Sequence, residues 1–187
     1  MQSEPTVLVL PGWHGSDAAH WQSRWEALYG DRRVDQHDWS RPLRGDWSAR
    51  LEEEVLAAPT PVVLVAHSLG CILVAAWAAH SQNTAKVCAA FLVAPGDLER
   101  DDLRQMIPGW APIVRRRLPF PSLLTAAGND PYCDAARSHA MAADWGARFI
   151  DADASGIGGT GGHLNGESGL GDWPAGRALL NELIREE

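Results

Sequence analysis

Residues 62–80 read VVLVAHSLGCILVAAWAAH, a long apolar run interrupted by His67 and Ser68. A serine hydroxyl becomes a nucleophile when the backbone lifts it out beside a base. A strand, one strained residue and a helix do this in the pattern G-x-S-x-G. Ala66-His67-Ser68-Leu69-Gly70 follows that pattern, with alanine at the first small position. The positions two before and two after the serine must be small, because strand and helix pass close there, and Ala66 adds one methyl at the tightest point. Such an elbow also aims the Leu69 N–H, at a helix N-terminus, toward a developing oxyanion. The plain alternative is a turn serine hydrogen-bonded inside a core; an apolar strand before and a helix after favour the nucleophile. The side chain of His67 diverges from Ser68 at so sharp a turn, so it reads as a packing or hydrogen-bonding residue and not as the base.

An activated serine needs a base and an acid that orients it, and in this architecture they follow in the order Ser, Asp or Glu, His. Histidines stand at 14, 20, 37, 67, 80, 139 and 163. Only His163 follows the last candidate strand, in a glycine-rich loop able to fold back over the sheet edge. His80 and His139 fall on helices facing water. His14 and His20 are too far apart to share one helical turn, so no metal role is read there. Two acids lie just past strand ends, Asp97 and Asp130. Gly128, Asn129 and Pro131 form a tight turn that would fix the Asp130 carboxylate, which favours Asp130 over Asp97. A second oxyanion donor belongs in LPGWHGSDAAHW, residues 10–21, where Gly12 permits close backbone approach. The Trp13 N–H is the natural donor and His14 the alternative, while the Trp13 ring reads as a plug at the edge of the core.

These residues are positioned by alternating elements. Candidate strands cover 7–10, 33–37, 62–66, 87–93, 122–127 and 148–151. Candidate helices cover 18–29, 48–57, 69–80, 133–145 and 174–185, with a short one near 101–106. Trp21, Trp25 and Leu28 share one helical face, and Pro174 suits a first helical position. Strand alternating with helix predicts one α/β domain over 1–187, with about six mostly parallel strands and helices on both faces. The longest irregular connection is 96–121; a second, SGIGGTGGHLNGESGLGDWP, joins the last strand to the last helix. Gly156, Gly158 and Gly161 spell G-x-G-x-x-G, but no helix opens at the third glycine, so a dinucleotide fingerprint is rejected, and no P-loop is present.

The 187 residues suit one sizeable core, and 45% hydrophobic with 21% charged residues is an ordinary globular mixture. A formal charge of -8, with Lys and Arg totalling 16, disfavours nucleic acid and anionic membrane as partners. Arg115-Arg116-Arg117 reads as a solvated loop. Three cysteines, Cys71, Cys88 and Cys133, without C-x-x-C spacing, argue against a disulfide framework and a zinc knuckle. MQSEPTVLVLPGW lacks a basic leader region, and 61–79 lacks flanking anchors for a membrane span, so a reducing cytoplasm is the expectation. The walls of the site are expected from Trp13, residues 96–121 and Leu164. At this length a large lid is not expected, which favours small or flexible acyl substrates.

PGWHGS, AHSLG, GNDPYC and GHLNGESGLGDWP, in that order, resemble the small serine hydrolases related to retinoblastoma-binding protein nine and the bacterial YdeN proteins, over nearly the whole chain. The resemblance implies a minimal α/β-hydrolase fold without a cap domain, with Ser68 as nucleophile, Asp130 as acid and His163 as base. It implies hydrolysis of a small-molecule ester or amide through an acyl-enzyme, without metal or cofactor. Ala66 departs from the glycine usual in that elbow. The family name suggests a pocket-protein partner, but the L-x-C-x-E segment linked to such binding is absent. Two rivals stand beside this reading: a hydrolase-shaped binding or regulatory module whose triad is idle, and acyl transfer to an acceptor other than water.

Overall fold

The computed structural model describes residues 4–186. Met1–Ser3, part of the N-terminal stretch read above, and Glu187 lie outside the described residues. The elements in order are β1 (Thr6–Leu10), α1 (Trp21–Tyr29), β2 (Arg32–Arg33), α2 (Arg44–Ala57), β3 (Val62–His67), α3 (Leu69–Ala78), β4 (Val87–Val93), α4 (Asp101–Met106), β5 (Ser122–Ala126), α5 (Ala135–Trp145), β6 (Arg148–Asp151) and α6 (Pro174–Arg185). All six strands pair in parallel in the order β2-β1-β3-β4-β5-β6. This is a minimal α/β-hydrolase fold.

The central strands are apolar throughout because both their faces are covered. Alternate residues separate cleanly. Leu64 and Ala66 of β3, Ala90 and Leu92 of β4, and Leu124 and Ala126 of β5 pack with Trp47 and Leu51 of α2, with α3, and with Met141 and Trp145 of α5. Val63 and Val65, Ala89 and Phe91, and Leu123 pack on the opposite face with Trp21 and Trp25 of α1 and Leu180 and Leu183 of α6. By this parity His67 faces the α1 side, away from α3. Asp31, buried near the end of α1, is ion-paired at 2.5 Å to Arg177 of α6, whose guanidinium also lies 4.0 Å from the Tyr29 ring centre. That pair fastens the two helices of this face together.

Chain order reverses between β1 and β3, the crevice where doubly wound sheets receive ligands. Two contacts draw these strands together at their carboxyl ends. Gln22, fully buried, donates its amide to Leu10 O at 3.2 Å and to Val65 O at 3.1 Å. Gly70 runs so close to β1 that a Cβ there would stand 2.3 Å from Leu10 O. The tightest point of the elbow is therefore Gly70 against β1. The methyl of Ala66 sits in the core without such a clash.

Some expected boundaries shift, each for a local reason. The strand expected over 33–37 is the pair Arg32–Arg33, with one further bond from Val34 N–H to Val9 O. It is an edge strand, and beyond it Arg50 takes the Asp35 carbonyl at 3.0 Å, drawing the chain off the sheet. The first helix starts at Trp21 and not at residue 18. Asp17 Oδ1 accepts the N–H groups of Ala19 and His20 and holds 17–20 in a turn, and His20 Nδ1 then caps the helix by accepting the Gln22 N–H at 3.1 Å.

Replacing Gly70 by Ala should cost about 3 kcal/mol, because the new methyl meets a backbone oxygen that cannot step aside. Gly45→Ala, where a Cβ meets nothing within 4 Å, should change stability by under about 1 kcal/mol. Equilibrium urea unfolding of the two variants beside wild type measures both.

Candidate active site

Ser68 stands between β3 and α3 with φ 56° and ψ -120°. A non-glycine residue in this region carries about 1–3 kcal/mol of strain. Its N–H donates to Val93 O at 3.0 Å, which ties the strained residue to β4. The strain lifts the side chain clear of the strand, and His163 Nε2 lies 2.8 Å from Ser68 Oγ. On the other edge of the ring, Nδ1 lies 2.8 Å and 3.0 Å from the two oxygens of Asp130. The Asp130 side chain is wholly buried, and its Oδ1 also accepts the Tyr132 N–H at 2.9 Å. An imidazole that donates Nδ1–H to this carboxylate presents a bare Nε2 to the serine hydroxyl, the arrangement needed to take its proton.

The two alternatives left open by the sequence are separated by long-range partners. Asp97 is engaged elsewhere: its carboxylate pairs with Arg137 at 3.2 Å and accepts the Glu99 N–H. Asp130 alone of the two reaches His163. The His14 N–H donates to Trp39 O at 3.0 Å, whereas no bond from the Trp13 N–H occurs among the described residues. Leu69 opens α3, where an N–H has no acceptor within the helix. Gly12 carries the Trp13 segment in close, since a Cβ on it would stand 2.8 Å from Ser68 Cβ and 3.3 Å from Leu69 N. The Trp13 ring packs against the core and donates Nε1–H to Ser40 O, which leaves its backbone N–H uncommitted.

Behind His163 stand two more histidines. The ring centres of His20 and His67 are 4.6 Å apart, and those of His67 and His163 4.8 Å. His67 donates Nε2–H to the His163 carbonyl at 2.8 Å, the hydrogen-bonding role expected for it. Burial holds the His67 pKa well below its ordinary value, with His20 and His163 nearby pushing the same way. Burial likewise lowers His20 to about 4. Its Nε2 finds no hydrogen-bond partner. Burial raises the thiol pKa of Cys71, and that of Cys133 to about 12, so neither is a rival nucleophile.

A cavity of about 380 Å³ opens over Ser68, lined among others by Trp13, Leu98, Leu103, Met106, Ile107 and Tyr132. Leu164, expected at its wall, is instead fully buried on the α1 face, its carbonyl accepting the Trp21 indole N–H at 2.8 Å. Asp17, His20 and the segment 165–167 take its place, and sequence reasoning missed them. Asn129 was also missed as an anchor: its Oδ1 accepts the Gly162 N–H at 2.6 Å and ties the His163 loop to the Asp130 turn. The turn chemistry of GNDP was the available signal. No cluster of histidine, cysteine and carboxylate side chains fit to hold a metal occurs among the described residues, and none of their helices is long and apolar enough to cross a membrane.

Sheet order, elbow and the hydrogen-bonded row of Ser68, His163 and Asp130 define an α/β-hydrolase of the serine type. The chain belongs to the serine hydrolase family, whose model matches residues 7–182. Among solved structures, it is similar to a YdeN-like hydrolase from Pectobacterium atrosepticum, with 26% identity and a TM-score of 0.78 over 96% of this chain and 90% of that one. The ydeN gene product of B. subtilis superposes with a TM-score of 0.73 at 18% identity, over 97% of this chain and 100% of that one. An esterase from Thermogutta terrifontis shares the fold at 16% identity and a TM-score of 0.65, over 99% of this chain and 84% of that one. No sequence among curated proteins matches.

The buried neutral histidines make the fold acid-sensitive. Below pH 6.5 the unfolded chain protonates His20 while the folded protein resists until about 4, so stability falls as pH drops through that window. The loss from His20 alone should reach about 2 kcal/mol by about pH 5, and His67 adds to it in the same direction. Urea unfolding at about pH 7.5 and about pH 5 measures it, and His20→Asn, which can still cap α1, should shrink the difference.

Proposed function

We propose that this hydrolase cleaves a small ester, or an amide, through an acyl-enzyme formed on a Ser68-His163-Asp130 catalytic triad. The observation that carries the reading is the 2.8 Å contact of His163 Nε2 with Ser68 Oγ, backed by the 2.8 Å contact of Nδ1 with a buried carboxylate. In the first step His163 takes the Ser68 proton as Oγ bonds to the substrate carbonyl carbon. The N–H groups of Leu69 and Trp13 receive the oxyanion. The carbon–leaving-group bond then breaks, and His163 delivers the proton to the departing oxygen or nitrogen. Water enters, gives its proton to His163 and its oxygen to the acyl carbon, and the acid leaves as Ser68 regains its proton. Asp130 holds the tautomer throughout and stays ionised. No step calls on a metal or cofactor. Three cysteines without C-x-x-C spacing accord with a reducing, cytoplasmic compartment.

Intact mass after treatment with a fluorophosphonate probe tests the nucleophile. Wild type should gain one adduct and Ser68→Ala none; a folded wild type without adduct favours the idle, protein-binding module. Turnover of p-nitrophenyl acetate separates the acids. Asp130→Asn should lose about 10³–10⁴-fold in kcat, while Asp97→Asn, whose carboxylate faces Arg137, should stay within about tenfold of wild type.

A further inference from the structure

The cavity over Ser68 has two unlike walls, and strand order sets them apart. The loop after β1 and the loop after β4 rise on opposite sides of β3. The β4 wall is apolar. It runs from Gly96 through Leu98 to Leu103, Met106 and Ile107 on and just after α4. Leu98, Leu103 and Ile107 are anchored in the core, and Met106, 53% exposed, stands at the rim. This wall begins beside the nucleophile: a Cβ on Gly96 would lie 3.1 Å from Leu98 Cδ2 and 3.8 Å from Ser68 Oγ.

The β1 wall carries the acidic residues, beyond the Trp13 ring at its foot. It presents Asp17 and His20, with Gly166 and Glu167 of the His163 loop folded against them. A Cβ on Gly166 would stand 3.4 Å from Asp17 Oδ1 and 3.5 Å from His20 N. Both carboxylate residues are exposed, and the described lining residues include no lysine or arginine. The two walls also have different places in the chemistry. His163 Nε2 must face the leaving group, and its own loop continues directly into Glu167. An ester seated with its leaving group toward Glu167 would lay its acyl chain along the α4 side.

Building on the hydrolase reading above, we propose that the site selects acyl groups with an uncharged aliphatic chain, held against Leu98, Leu103, Met106 and Ile107, and rejects anionic leaving groups through Asp17 and Glu167. Each buried methylene should raise kcat/KM about fourfold until the cavity is filled. A cleft lined by one sign of charge changes the encounter of a charged substrate by about tenfold or more. Esters and thioesters of neutral alcohols and thiols fit these walls; thioesters of phosphate-bearing carriers do not.

Two substrate pairs test the proposal on the intact chain. p-Nitrophenyl butyrate, two methylenes longer, should exceed p-nitrophenyl acetate in kcat/KM by about fifteenfold. Met106→Trp at the rim, and Leu103→Phe within the wall, should each lower butyrate turnover more than acetate turnover. Butyryl-N-acetylcysteamine should exceed butyryl-coenzyme A by about tenfold or more at low salt. Added salt, and the double variant Asp17→Asn with Glu167→Gln, should narrow that gap. A chain-length profile that is flat and indifferent to both α4 variants would overturn the acyl assignment. A coenzyme A penalty that ignores salt and the double variant would reflect size and overturn the charge assignment. Fluorophosphonate labelling of Ser68 keeps the two levels apart. A labelled enzyme failing these comparisons refutes this inference alone, and an unlabelled, inactive one refutes the hydrolase reading together with it.

Discussion

The working ring of this site is carried by a chain segment with almost no regular structure, so its position rests on a few buried donors. His67 donates to the carbonyl of His163 itself, and Trp21 to that of Leu164, each at 2.8 Å. Further along the same loop Trp173 takes the Ile157 carbonyl and Trp25 the Asp172 carbonyl, also at 2.8 Å. Ordering a loop costs about 1–2 kcal/mol per residue in backbone entropy. A buried carbonyl without a donor adds about 1–3 kcal/mol against any competing placement. Together these bonds satisfy four of the loop's carbonyls, and in this arrangement His163 lies between Ser68 and Asp130.

The donors have a common source, the α1 face of the sheet. Trp21 and Trp25 come from α1 itself, and His67 points there because it shares the parity of Val63 and Val65 in β3. The residue next to Ser68 thus serves the site from the opposite face, holding the backbone of His163. Its environment demands a neutral ring, since burial disfavours the imidazolium in both His67 and His20. Uncharged neighbours suit the role proposed for His163, because no resident positive charge would oppose an imidazolium there. The same burial penalises protonation of both rings in the fold, so resistance to acid and site architecture are linked through these two residues.

What the sequence disclosed and what it withheld divide along range. Strand–helix alternation, the parity of β3, the elbow at Ser68 and the Ser, Asp, His order are local patterns, and the structure places those three side chains within hydrogen-bonding distance. Choices between near equals needed partners far away in the chain. Asp97 is removed from contention by Arg137, and the His14 N–H by the carbonyl of Trp39. The tryptophans read as core filler, yet every one except Trp39 also donates its indole N–H to a carbonyl or, at Trp77, to Glu52. No periodicity reports that polar edge. Leu164 was misplaced for the same reason: a loop residue's inward or outward sense follows from a bond to Trp21, not from its neighbours.

Among the described residues, the opening is flanked by short elements, the six-residue α4 between β4 and β5 and a single 3-10 turn at Gly166–Ser168. The cavity rim is correspondingly open, with Met106, Tyr132, Asp17 and Glu167 all exposed. That openness bears on the fate of the proposed acyl-enzyme. Transfer to a second substrate requires an acceptor bound in place of water, in a site closed against it. An open site flanked by two exposed carboxylates does the reverse, leaving water free access to His163. The acid product also leaves as an anion beside carboxylates, which favours its release and opposes re-esterification. Hydrolysis is the outcome that this minimal enclosure supports best.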